Sequence, residues 1–150
     1  MGTKLSIGND HGGRDLAMSL IRDLEETGGV DILYYGAFSR DESVDYPDYA
    51  MRVADDVASS KSKFGILVCR SGVGMCIAAN KMRGVRAANC WSVEIARLSR
   101  AHNDANILCL GADFVDAKDA KEMVQVFLST EFEVRHSPRI KKIGKVENRR

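Results

Sequence analysis

Three features of the sequence predict an α/β fold in three layers, with helices on both faces of a five-stranded parallel sheet. Short apolar runs alternate with longer amphipathic stretches along the whole chain. The runs are continuous, as in Phe64-Gly65-Ile66-Leu67-Val68, which suits strands covered on both faces by crossover helices. Glycine-rich or polar segments follow the runs, where the ligand-binding turns of open parallel sheets lie. The predicted architecture is a Rossmann-like three-layer sandwich.

The elements follow in order. Residues 4–8 form a first strand around Leu5 and Ile7, and residues 13–27 an amphipathic helix. A second strand spans 30–35 and a helix spans 47–60, opened by Pro47, which suits a helix start. The third strand is 64–68, followed after a glycine turn by a helix over 73–82. Strands at 85–89 and 106–110 flank a helix over 92–102, and two more helices are expected at 117–130 and 138–147. No repeat, low-complexity stretch or Pro/Ser-rich linker divides the chain, so residues 1–150 are expected to form one domain.

Composition restricts the function. With 45% hydrophobic and 29% charged residues the chain has an ordinary globular balance. A net charge of +1 argues against bulk electrostatic capture of nucleic acid or an anionic membrane, so any anion site must be local. The start turns polar by Asn9-Asp10-His11, without the apolar core of a signal peptide, and no transmembrane stretch is expected. Cys69, Cys76, Cys90 and Cys109 form no Cys-x-x-Cys pair and are expected to be reduced thiols in a cytoplasm. Cys76, Cys90 and Cys109 read as small buried filler.

Chemistry concentrates in the turn Cys69-Arg70-Ser71-Gly72-Val73-Gly74. Gly72 and Gly74 let backbone approach a ligand, and the helix starting near Val73 offers unpaired N–H groups and a positive dipole end. The same field favours thiolate, giving Cys69 a basic or nucleophilic role; the alternative is a core cysteine ending a strand. Cofactor readings fit less well. Ile77 stands where a dinucleotide fingerprint needs its third glycine, and the Gly-Lys-Ser/Thr of a P-loop is missing.

Three other places carry polar groups. Asp10 and His11 directly follow the first strand and are expected in the same cleft as Cys69, although Asp10 also suits a helix cap. His102, in Ser99-Arg100-Ala101-His102-Asn103-Asp104, ends a helix and suits either function or a dipole partner. Arg135 and Arg139 flank the helix start Ser137-Pro138, where two guanidiniums could grip a phosphate.

These motifs, with Asp45-Tyr46-Pro47, Ala78-Ala79-Asn80-Lys81 and His102-Asn103-Asp104-Ala105-Asn106, resemble the B-type ribose-5-phosphate isomerases. That family also includes allose- and galactose-6-phosphate isomerases, and the likeness runs through nearly the whole chain. The resemblance implies a cofactor-free, metal-free aldose–ketose isomerase of a small phosphorylated sugar, working as a homodimer or larger oligomer whose subunits share active sites. By the same resemblance Cys69 is the base that moves a proton between C2 and C1. The backbone of Arg70, Ser71, Gly72, Val73 and Gly74 holds the enediolate oxygen, with Ser71 adding a hydroxyl. Asp10 moves protons among the sugar hydroxyls, and His102 opens the furanose ring. Tyr46 and Asn103 contact the sugar, while His11, Arg135 and Arg139 grip the phosphate. Met75 stands where another branch carries glutamate, which indicates the cysteine branch.

Two positions depart from the family pattern: Arg70 in place of glycine, and Asp113 in place of an arginine. The expectation is that Arg70 replaces the missing guanidinium. Ribose 5-phosphate is the expected substrate; a hexose 6-phosphate, or a non-catalytic nucleotide-binding module, is the alternative.

Overall fold

The structure is a computed structural model that describes residues 1–149. Five strands alternate with helices: β1 (Thr3–Asn9), α1 (Arg14–Thr27), β2 (Val30–Gly36), α2 (Tyr46–Ala58), β3 (Phe64–Cys69), α3 (Val73–Ala79), β4 (Ala87–Asn89), α4 (Val93–Asn103), β5 (Ile107–Gly111) and α5 (Ala117–Ser129). A 3-10 turn at Val134–His136 leads into α6 (Ser137–Glu147). The strands form one sheet in the order β2-β1-β3-β5-β4, every pairing parallel. The expected α/β sandwich and its five-stranded parallel sheet are therefore present.

Period-2 alternation along the central strands divides two cores and aims the thiol. Phe64, Ile66 and Val68 of β3, with Leu108 and Leu110 of β5, pack with Leu20 of α1 and Met123 and Phe127 of α5. Leu67 and Cys69 of β3, with Ile107 and Cys109 of β5, face Val53 of α2 and Met75 of α3. Cys69 thus points to the α2/α3 side, two residues beyond Leu67. Phe127 is fully buried and meets Phe64 edge-on at 5.7 Å, so Phe127→Ala should cost about 3–5 kcal/mol. Gly8 and Gly65 let α2 lie close on the sheet, since a Cβ on either would fall within 3 Å of Val53.

Two boundaries differ from expectation because side chains replace backbone. α3 stops at Ala79 because Asn80 turns onto Ala87, donating to its carbonyl and accepting from its N–H, both at 2.9 Å. β4 begins at Ala87 because the Arg86 N–H bonds the Asn106 side chain at 2.7 Å.

Candidate active site

The turn after β3 holds the thiol against backbone. Cys69 is buried at 5% exposure, and its Sγ accepts the Gly72 N–H at 3.1 Å. Gly72 has φ 78°, a left-handed conformation that favours glycine, and this reversal aims the N–H back at the sulfur. The first helical bond of α3 runs from the Cys76 N–H to the Gly72 carbonyl at 3.0 Å, leaving the Gly74 and Met75 N–H groups outside the ladder. Ser71 Oγ accepts the Val73 N–H at 3.3 Å.

Close contacts fix the turn from both sides. It crosses the end of β5 over Gly111, where a Cβ would lie 2.7 Å from the Ser71 carbonyl carbon. Asn89, at the end of β4, donates to the Ser71 carbonyl at 3.4 Å and lies against Gly72. The Tyr46 ring, at the start of α2, covers Gly74, where a Cβ would fall 2.6 Å from it. Asn89 thus braces the turn, a contact to which sequence reasoning, though it placed 89–91 among the segments beyond the strands, assigned no role. Its signal was a polar side chain at the carboxyl end of a strand.

Asp10 and His11 lie on the same edge. Asp10 is buried, its N–H bonds the Val68 carbonyl at 3.3 Å, and its Oδ1 accepts the Gly13 N–H at 2.9 Å. The carboxylate therefore supports the turn into α1 while standing beside the β3 end. His11 Nδ1 accepts the Val44 N–H at 3.2 Å, so the neutral ring carries its proton on Nε2. Arg70 lies across Gly12, and its guanidinium is 3.7 Å from the Asp113 carboxylate. The two departures from the family pattern thus meet each other. The Asp113 carboxylate stands beside the charge expected to replace the missing guanidinium, in an exposed pair. Arg70 also requires no positive φ, since among described non-glycine residues only Ser60 and Asp104 adopt one.

His102, Asn103, Arg135 and Arg139 gather elsewhere. α4 leaves the carboxyl end of β4 and runs back to the amino end of β5, its 11 residues covering ~16 Å. His102 and Asn103 therefore stand at the amino edge of the sheet, with Cys69 at the carboxyl edge. The last turn of α4 is anchored by Arg100, which donates to the Asp104 carboxylate at 2.8 Å and the Ala105 carbonyl at 2.6 Å, and lies over the Phe64 ring at 4.9 Å. The expected grouping of His11 with Arg135 and Arg139 does not form within one chain, because the arginines share the His102 edge.

At that edge the His102 and His136 rings lie against each other, centroids 4.4 Å apart and planes tilted by 39°, and Glu133, which sequence reasoning did not single out, stands between them. Glu133 Oε2 lies 4.0 Å from His102 Nε2 and 3.8 Å from His136 Nε2, and accepts from Arg135 Nε at 2.8 Å. That hydrogen bond holds the Glu133 carboxyl below its ordinary range. Arg139 donates to His136 Nδ1 at 3.0 Å. Burial, with the charges of Arg135, His102 and Arg139, pushes His136 below the usual histidine range, against the opposing pull of Glu133.

The remaining cysteines divide. Cys90 and Cys109 are buried as expected, and burial pushes Cys90 up to about 11 and Cys109 well above the ordinary thiol range. Cys76 departs from the filler expectation. It is half-buried, and hydrogen bonds from Cys109, the Asn89 backbone and Asn80 outweigh its desolvation, drawing it down to about 7.

Residues 5–143 match the sequence profile of the ribose/galactose isomerase family. The chain belongs to this family. Ribose-5-phosphate isomerase B of Escherichia coli K12 is 41% identical over 148 residues, covering 98% of each chain. Among solved structures, ribose-5-phosphate isomerase B of Clostridium thermocellum superposes with a TM-score of 0.94 at 42% identity, covering 98% of this chain and 99% of that one. The Mycoplasma genitalium enzyme, solved with bound ribulose 5-phosphate, superposes with a TM-score of 0.92 at 39% identity, covering 99% of this chain and 98% of that one. This ribose/galactose isomerase has no helix, among the described residues, long and apolar enough to cross a membrane.

Proposed function

We propose that the chain interconverts ribose 5-phosphate and ribulose 5-phosphate through an enediolate, with Cys69 as the base. The observation that carries this reading is the contact of Cys69 Sγ with the Gly72 N–H at 3.1 Å, in a turn whose neighbouring N–H groups lie outside the helix ladder. A proton on carbon beside a carbonyl leaves only if the developing oxyanion is stabilised as it forms. Fixed N–H donors do this without reorganising, and each is worth ~10²–10³ in rate.

In this mechanism the open-chain aldose lies with C1 and C2 beside Cys69. The thiolate takes the C2 proton, the electron pair forms the C1–C2 double bond, and the charge moves to O1 near the Gly74 and Met75 N–H groups. Cys69 returns the proton to C1 while the O2 proton passes to O1, and the ketose forms. Asp10, beside the strand end, serves the hydroxyl proton transfer, and Ser71 contributes a hydroxyl. Tyr46 borders the sugar.

Ring opening by His102 and phosphate binding by Arg135 and Arg139 require a second subunit. The ~16 Å that α4 spans along the strands, from its rise per residue, is too long for one small sugar phosphate to bridge. A homodimer that brings the His102 edge of one protomer to the Cys69 edge of its partner completes the site, with Asn103 touching the sugar and His11 joining the arginines on the phosphate. Exposed Val73 and Ile77, four residues apart on α3, offer an apolar face beside the turn for such a contact. The reading extends to one catalytic domain along the whole chain and to a reducing cytoplasm, which the free thiols favour.

Ketose formation from ribose 5-phosphate and from allose 6-phosphate tests the assignment. Faster turnover of the pentose supports it. Preference for the hexose phosphate would transfer the site to the family's other substrates, and absence of turnover on both would sink the catalytic reading.

A further inference from the structure

We propose that His102, Glu133 and His136 form a site for a divalent transition ion of the zinc type, and that filling it inhibits the enzyme. The nitrogen and oxygen ligand atoms of the three side chains all lie within 4.8 Å of one another. A second observation comes from His136. Its side chain is 10% exposed, and its Nε2 is buried without a hydrogen-bond partner among the described residues, at 3.8 Å from Glu133 Oε2. A buried polar atom normally finds a partner, and this one faces a carboxylate too distant to bond.

The donor set selects the ion. Two imidazoles and one carboxylate suit zinc and its neighbours, whereas magnesium and calcium take oxygen ligands. Tetrahedral zinc, with bonds of ~2.0–2.2 Å, sets its ligand atoms ~3.3 Å apart. The Glu133 edges of 4.0 and 3.8 Å must therefore shorten by about 0.5–0.7 Å and the widest spacing, 4.8 Å at most, by up to about 1.5 Å, for which the part-exposed His102 and Glu133 side chains have room to rotate. Water would complete the shell.

Two arginines oppose the ion. Arg135 occupies Glu133 Oε2, and Arg139 donates to His136 Nδ1. A guanidinium only donates, so Nδ1 accepts and the neutral ring holds its proton on Nε2. Binding at Nε2 moves that proton to Nδ1 and expels Arg139, an exposed side chain free to swing out. Metal capture thus withdraws His102 and displaces Arg139 from its present place. Inhibition rests on the role given to His102 above; the site itself does not.

Co²⁺, a spectroscopic stand-in for zinc, tests the site on the full chain through the visible bands of the four-coordinate ion. The expected result is one equivalent per chain without thiolate charge-transfer absorption, unchanged in Cys69→Ser. Glu133→Gln and His136→Asn should weaken binding about tenfold or more, and Arg139→Met should strengthen it. Binding that Glu133→Gln leaves unaltered, bands that vanish in Cys69→Ser or Cys76→Ser, or no binding at all would overturn the proposal. The spectrum does not depend on turnover, so its failure leaves the isomerase assignment standing. A wild-type enzyme inhibited by Zn²⁺, with Glu133→Gln resistant, supports the inhibitory role; equal inhibition of both refutes it.

Discussion

Placement of Cys69 and His102 on opposite sheet edges makes a quantitative prediction about mixed dimers. A two-fold dimer with shared sites has two equivalent sites, each taking Cys69 from one protomer and His102 from the other. Cys69→Ala and His102→Ala proteins then each carry two damaged sites, with losses of ~10²–10⁴ expected for removing an acid/base group. When equal amounts are mixed and subunits exchange, half the dimers pair unlike chains. Each such dimer has one site with both native groups and one with neither. Activity should therefore rise to about one quarter of wild type, far above either parent. The assay is ketose formation before and after exchange in mild denaturant, with sedimentation to verify that dimers re-form. Activity that stays at the mean of the two parents would refute the shared site and return His102 to a structural role.

Other expectations concern single residues. Cys69→Ala should abolish turnover with little change in Tm, and full activity would refute the base assignment. Arg70→Ala removes a charge from the mouth of the site and breaks an exposed pair with Asp113, 3.7 Å away. Stability should change by less than about 1 kcal/mol while KM for the sugar phosphate rises; an unchanged KM and kcat would exclude a binding role. Cys76, drawn down to about 7, should be half thiolate near neutral pH, and its alkylation by iodoacetamide should rise through that range. Cys90, pushed to about 11, should lag far behind by peptide mass spectrometry. The reverse order would contradict the lowering of Cys76 by its neighbours.

Most of the sheet was legible because β3 and β5 are buried on both faces and carry unbroken apolar runs. Boundaries failed where a side chain imitated backbone, as Asn80 does for Ala87, since periodicity carries no sign of such a substitution. The Cys69 turn was legible for a local reason: its glycines and thiol are contiguous. Asn89 left a faint trace at a strand end, and Glu133 left none, because Arg135 and His136 beside it are ordinary local neighbours and only the fold brings His102 to it. Cys76 misled because free cysteine is usually filler, and the neighbours that draw its thiol down, Cys109 first, come to it only through the fold.

The shortest strand also has a bearing on heat. β4 has three residues, stands at the sheet edge and pairs with β5 alone, yet it carries Asn89, the latch on the Ser71 carbonyl. Edge segments of this kind open in small cooperative units well below the global transition. Once β4 frays, the turn loses its outer support while both cores remain intact. Turnover should then decline several degrees before ellipticity does, and coincident curves would argue against this coupling. Three residues at the margin of the sheet, rather than the packed interior, would set the working temperature of the enzyme.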